Sequence, residues 1–295
     1  MSHLDTLAPA LLAHAGPHDW ARSGWDAAVL AGLMFTGALY ALGSARLARR
    51  GGRIRRIETL SFWIGWTAML LAVAPPLDRA ATLRFSAHMA QHELLMLIGA
   101  PLVIVGRPIV PWLWALPDGW RRRVGPSPHV QLYTSVWRWL THPAVAWALH
   151  GATIWIWHLP VLYEAAVQNE ALHALQHATF VATAVFFWWG LVYGRYGRLA
   201  YGASVLFVFT TSMHTGILGA LFTFSGAPFY PLYEGRAAAQ GIDALADQQL
   251  AGVYMWIPAG LVFMLFGLGL MLSWLVESER RAGVPRSSPS QPQVK

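Results

Sequence analysis

Cysteine is absent from all 295 residues, and charged side chains make up only 12% of them. The first absence excludes disulfides, thiolate metal sites and covalent cysteine chemistry. The second excludes an ordinary soluble domain, whose surface needs far more charge. Strict polar/apolar alternation, the mark of a membrane β-barrel, is also missing, because the apolar runs are continuous. What the chain has instead is 56% hydrophobic residues, 16 Trp and several apolar runs. These runs approach the ~20 residues that cross a bilayer as a helix.

That pattern predicts an all-α polytopic membrane protein of seven transmembrane helices, at roughly 25–43, 58–76, 83–106, 142–160, 173–193, 200–224 and 249–276. Basic residues decide the orientation. The first, third and fifth connections and the C-terminal tail hold 17 of the 21 Lys and Arg, among them Arg46, Arg49, Arg50, Arg53, Arg55 and Arg56. The opposite side has only Arg22, Arg79, Arg84 and Arg236, beside eight carboxylates. The positive-inside rule then puts the N-terminus outside and the C-terminus in the cytoplasm. The net charge of +7 is thus a topology signal and not the footprint of a nucleic acid.

The domain reading follows. Residues 1–24 form an uncleaved extracytoplasmic tail, 25–276 a seven-span membrane domain, and 277–295 a cytoplasmic tail whose Ser/Pro/Gln-rich end is disordered. Within the 107–141 loop, the segment from Tyr133 to Leu140 reads as an interfacial piece. The 225–248 loop is external and long enough to lid the outer face.

Chemistry concentrates in a duplicated motif, His88-Met89-Ala90-Gln91-His92 and His173-Ala174-Leu175-Gln176-His177. Residues four apart share a helix face, so each motif aims two imidazoles the same way. Chance placement of the twelve His gives about half an i,i+4 pair, and about 0.02 when Gln must precede the second His. With the topology above, His88, His92, His173 and His177 fall in the outer first turns of parallel spans. His158 ends its span at the same level, and His214 lies nearby. Met89, Met96 and Met213 add soft thioether ligands. Imidazole and thioether without thiolate suit copper, Cu(I) above all.

Blander readings stand beside each of these. A single His at a span end is commonly an interfacial or hydrogen-bonded packing residue, and a single Met commonly a gap-filler. Glu93 can ligate, accept a proton or pair with Arg84, and Asp247 reads as the cap of the last helix before it reads as a ligand. Gln91 and Gln176 are placed to orient imidazoles by hydrogen bonding. Taken together, a duplicated motif at one depth in a membrane favours a functional polar site, because ionisable groups there are costly. Haem ligated by His from facing helices, a copper or proton transporter, and a metal-dependent hydroxylase are the alternatives. The last lacks the carboxylates such catalysts use, and an enzymatic role is therefore not expected.

At this point a family pattern emerges. His88-Met89-x-x-His92-x-Leu94-Leu95 with Pro101-Leu102 and Gly106 resembles the multi-spanning bacterial CtaG family of cytochrome c oxidase assembly proteins. Trp155-x-x-His158-x-Pro160-x-x-Tyr163 and His173-x-x-x-His177-x-x-Phe180, with Trp188 or Trp189 after it, are similar to further blocks of that family. So are His214 to Ala220 running into Pro228-x-Tyr230-Pro231-x-Tyr233, and Asp247-Gln248-Gln249-x-Ala251-Gly252-x-x-Met255-Trp256-x-Pro258. The resemblance implies a bacterial inner-membrane factor that helps build haem–copper oxidases, with copper as its cargo. Oxidase subunits, the lipid bilayer and a periplasmic copper donor would then be its partners.

Overall fold

The computed structural model describes residues 24–123, 128–193 and 200–282. The expected N-terminal tail, apart from Gly24, and the Ser/Pro/Gln-rich end from Arg286 lie outside the described residues. Among those described there is no strand.

Each of the seven expected spans is helical. Helix α1 (Gly24–Arg49) is followed by α2 (Arg56–Val73) and the short α3 (Leu77–Leu83). The third span is composite: α4 (Phe85–Glu93), a wide π-turn segment (Leu94–Gly99) and α5 (Ala100–Val105). Next come α6 (Ile109–Ala115), α7 (Asp118–Arg123) and α8 (Pro128–Leu140), which fill the long connection. Helices α9 (Pro143–Trp157) and α10 (Pro160–Gln168) precede α11 (Glu170–Tyr193), α12 (Ala200–Thr223), α13 (Pro231–Ala238) and α14 (Ala244–Ala282). Among the described residues five helices are long and apolar enough to cross a membrane alone, and up to seven if each of two bent pairs is one span. The pair α2/α3 bends by 45° and the pair α9/α10 by 76°.

The bends and the π segment have local causes. Pro160 opens α10 and forces Leu159 into extended backbone, so α9 cannot run on through it. Pro101 lacks the N–H that would continue the ladder of the third span. The chain takes the wider turn just before it, where the Ala100 N–H reaches the Leu95 carbonyl five residues back. The Met96 carbonyl, which Pro101 would face in that register, accepts instead from Trp188 Nε1 at 3.0 Å.

The last helix differs most from expectation. It begins at Ala244, runs 39 residues and ends at Ala282, well beyond the expected end of the span. Asp243 starts it, since its Oδ1 accepts the Leu245 N–H at 2.9 Å. The expected interfacial segment is part of α8. Its Tyr133 and Trp139 are exposed, while Trp137 packs edge-on to Phe186 and Trp189 of α11.

The most extensive helix pair is α12 with α14. It closes through glycine: a Cβ on Gly252 would stand 2.5 Å from the Gly219 carbonyl oxygen and 2.7 Å from the Thr223 nitrogen. Such backbone contact is how helices associate where lipid supplies no hydrophobic drive. Gly216, on the same helix as Gly219, has open space where a Cβ would go. Gly252→Val is therefore expected to destabilise the fold by about 1–3 kcal/mol through overpacking, read as a lowered melting temperature in detergent. Gly216→Val should melt close to the parent, and equal losses from the two would show that the crossing is not the cause.

Candidate metal centre

Both His-x-x-Gln-His motifs lie at the start of their helices, in the first turns of α4 and α11, and the bundle brings them together. Ring centroids of His88 and His92 are 4.4 Å apart, those of His173 and His177 4.2 Å. Across the two helices His88 lies 5.3 Å from His173, and His92 lies 5.3 Å from His177. One ligand nitrogen from each of His88, His173 and His177 falls within 4.8 Å of the others. Nitrogens that share a first-row ion at about 2 Å each stand at most about 4 Å apart, so small ring rotations bring these three into range. His92 stands edge-on beside this trio.

The cluster is buried. His88 and His92 are 1% and 2% exposed. His88 Nε2, His177 Nε2 and both nitrogens of His92 have no hydrogen-bond partner. Orphaned buried imidazole nitrogens carry a desolvation penalty that a bound cation would relieve. The donor set therefore fits a metal, and its softness fits copper: imidazoles are joined by Met89, whose Sδ is 3.5 Å from His158 Nε2.

His158 is at the rim, its ring 6.2 Å from that of His92. Its Nδ1 faces the Ile154 carbonyl at 2.7 Å, which makes Nδ1 the donor and leaves Nε2 as the lone-pair nitrogen toward Met89. His214 is elsewhere. It sits in α12 against α9, with Nε2 3.4 Å from where a Gly151 Cβ would be and its ring 6.4 Å from Trp147. His150, hydrogen-bonded to Thr183 at 3.2 Å, is its neighbour there. Met213 is half-exposed on the outer surface of the bundle and Met96 lies in the apolar core, so neither accompanies the four imidazoles.

The two glutamines divide. Gln176 is fully buried, within reach of His88. Gln91 turns away from the imidazoles: its Nε2 donates to the Ala72 carbonyl at 2.7 Å and to Asp78 Oδ1 at 3.0 Å. It closes the α2/α3 bend, where Pro75 and Pro76 leave carbonyls without partners. Glu93 forms no ion pair with Arg84 or any other described residue, and its Oε2 is buried without a hydrogen bond.

Asp243 caps the last helix, so Asp247 is not the cap of its own helix. Its Oδ2 accepts the Phe85 N–H at 2.7 Å and the Ser86 N–H at 3.4 Å, and its Oδ1 accepts from the Ser86 hydroxyl. It caps α4 from 162 residues away in sequence, where a carboxylate meets the positive end of the helix dipole. Sequence spacing points such a residue at its own helix; only the packing of α14 on α4 redirects it.

Above the cluster lies a lid that site reasoning from the motifs alone passes over. Tyr163 of α10 is 5.1 Å from His88 and 4.2 Å from Tyr230. Tyr230 donates to the His158 carbonyl at 2.8 Å, and Tyr233 to the Ala81 carbonyl at 3.1 Å. Burial raises both phenols above their usual range, Tyr233 and Tyr230 alike, so they remain hydroxyls. The 225–248 segment carries Tyr230 and Tyr233 and is pinned by Gln248 to the Phe229 N–H at 2.6 Å and by Glu164 to the Leu232 N–H at 3.1 Å. Tyr163, Tyr230 and Tyr233 all stood in the sequence blocks quoted above, which was the available signal.

Fold and site together define a polytopic helical membrane protein closed over a buried polyhistidine cluster. The chain belongs to the family described as cytochrome c oxidase caa3 assembly factor, Caa3_CtaG, whose model matches residues 38–277. It is also similar to an uncharacterized protein of Mycobacterium bovis and one of Mycobacterium tuberculosis, each 25% identical over 249 residues, 82% of this chain and 38% of the relative. An uncharacterized protein of Mycobacterium leprae is 25% identical over 267 residues, 88% of this chain and 40% of the relative. The chain thus spans well under half the length of these relatives. No solved structure matches it.

Removing the cross-sequence cap tests how the site is held. Asp247→Ala leaves two backbone N–H groups and the Ser86 hydroxyl without their acceptor, an expected cost of about 1–3 kcal/mol. Thermal unfolding of the purified protein measures it. Asp247→Asn, which keeps a side-chain oxygen acceptor, should fall between.

Proposed function

We propose that the protein is a cytochrome c oxidase assembly factor that holds copper at His88, His173 and His177, with His92 completing the set and Met89 and His158 at its edge. One observation carries this reading: two motifs 85 residues apart converge in one buried cluster, in which the Nε2 atoms of His88 and His177 lack partners. Family membership supplies the process in which such a cargo is used. The compactness of the cluster, with centroids 4.2–5.3 Å apart, favours one ion over haem, whose macrocycle needs its axial imidazoles on opposite faces. His214 and Met213 take no part in this site.

In this reading the lid faces outward and the arginine-rich ends face the cytoplasm, as the basic-residue asymmetry requires. The site then lies on the side where oxidase copper centres are completed. A periplasmic donor would load it through the Tyr163–Tyr230–Tyr233 lid, and an oxidase subunit would receive copper from it. The residues hold and release an ion, which asks no covalent chemistry of the chain.

Copper titration of the purified parent against His88→Ala/His173→Ala tests the site. The variant should lose one bound copper or bind it more than about 100-fold more weakly, beyond the loss that a second-sphere change produces. Equal stoichiometry and affinity would sink the proposal. Orientation is tested separately, since a cysteine-free chain suits single-cysteine labelling. Ala239→Cys on the lid should react with an impermeant maleimide in intact cells, and Arg53→Cys only after lysis. The reverse pattern would place the site on the inner side.

A further inference from the structure

At the end of the bundle opposite the imidazoles lies a cavity of about 430 Å³, lined by Arg46, Arg49, Arg50 and Arg121 with Trp114, Leu116, Pro117 and Asp118. Four guanidinium groups share it with one carboxylate. Asp118 engages two of them, Arg50 at 2.7 Å and Arg121 at 2.8 Å. The same two lie over the Trp114 ring, at 5.6 Å and 4.1 Å from its centroid. Arg46 donates to the Ala115 carbonyl at the end of α6, and Arg49 donates only within its own helix, to Ala45. Neither Arg46 nor Arg49 has a carboxylate partner among the described residues.

We propose that this cavity binds the phosphodiester headgroup of an anionic membrane lipid. The forks of Arg50 and Arg121 are engaged by Asp118 and lie over the Trp114 ring. A phosphate entering beside Arg46 and Arg49 meets oriented donors and a net positive lining. A lipid is favoured over a free phosphate by position. Helix α1 is a membrane-crossing candidate over Ala28–Arg49, so its last turn, which carries Arg46 and Arg49, stands where headgroups lie. Leu42, one turn toward the apolar layer, and Val110 on the adjoining α6 are both exposed and give acyl chains a surface. None of this rests on the copper site, whose residues lie at the other end of the helices.

The test uses the full chain in nanodiscs of phosphatidylethanolamine with and without phosphatidylglycerol, read by melting temperature and by lipid retained in native mass spectrometry. Phosphatidylglycerol should be retained selectively and raise the melting temperature. Arg46→Gln/Arg49→Gln should lower that retention about tenfold, the scale of one or two lost charge-assisted contacts. Arg53→Gln/Arg56→Gln removes the same charge outside the cavity and should retain the lipid like the parent. Because Arg46 also serves the Ala115 carbonyl, Arg49→Gln alone separates a binding loss from a folding loss; it should weaken retention while melting like the parent in phosphatidylethanolamine. Equal retention of the two lipids, or equal loss in the two double variants, would overturn the proposal. Inorganic phosphate raising the melting temperature in detergent as far as the lipid does would assign the cavity to soluble phosphates and overturn the lipid assignment.

Discussion

Burying imidazole nitrogens without hydrogen-bond partners is costly, and this chain does so with several in one place. Everything around the cluster serves to keep them there. The last helix holds the first turn of α4 through Asp247. The α2/α3 bend is tied to the same helix through Gln91. Tyrosines pack over the cluster, Tyr230 and Tyr233 being hydrogen-bonded to the backbone at His158 and Ala81. If those ties loosened, water would satisfy the nitrogens and the preorganised donor set would be lost.

Proline and glycine shape the frame that makes this possible. The break at Pro160 places Tyr163 beside His88, in place of a helix running on beyond the bundle. The π segment before Pro101 re-aims the lower half of the third span, and Trp188 takes up the carbonyl that the proline leaves. Close contact of Gly219 and Gly252 seats α14 against α12, and with it Asp247 at the start of α4. Membrane proteins lack a hydrophobic drive between helices, so these small-residue contacts and interhelical hydrogen bonds have to supply the specificity.

The two ends of the bundle differ in chemistry. One is a buried imidazole cluster under an aromatic cover. The other is an arginine-lined cavity in which Arg121 lies over Trp114. In the proposed reading, copper held at one face and an anionic lipid at the other would tie the depth and tilt of the protein to the bilayer.

Length and hydrophobicity were enough to predict an all-helical membrane protein of up to seven spans, because spans are dictated by local hydropathy and period. The pairing of His88 with His92, and of His173 with His177, is equally local, as i,i+4 spacing on a helix leaves no choice. Which other residues join them was not legible. His214, level with the others along the chain's zigzag, faces α9 instead, because depth along a span does not specify the direction a side chain points around it. Gln91 sits inside the motif yet serves a proline bend, and Asp247 caps a helix distant in sequence. Those assignments depend on which helices touch and how each is rotated about its axis, and contacts between different helices, up to 162 residues apart for Asp247 and Phe85, are decided only when the bundle packs.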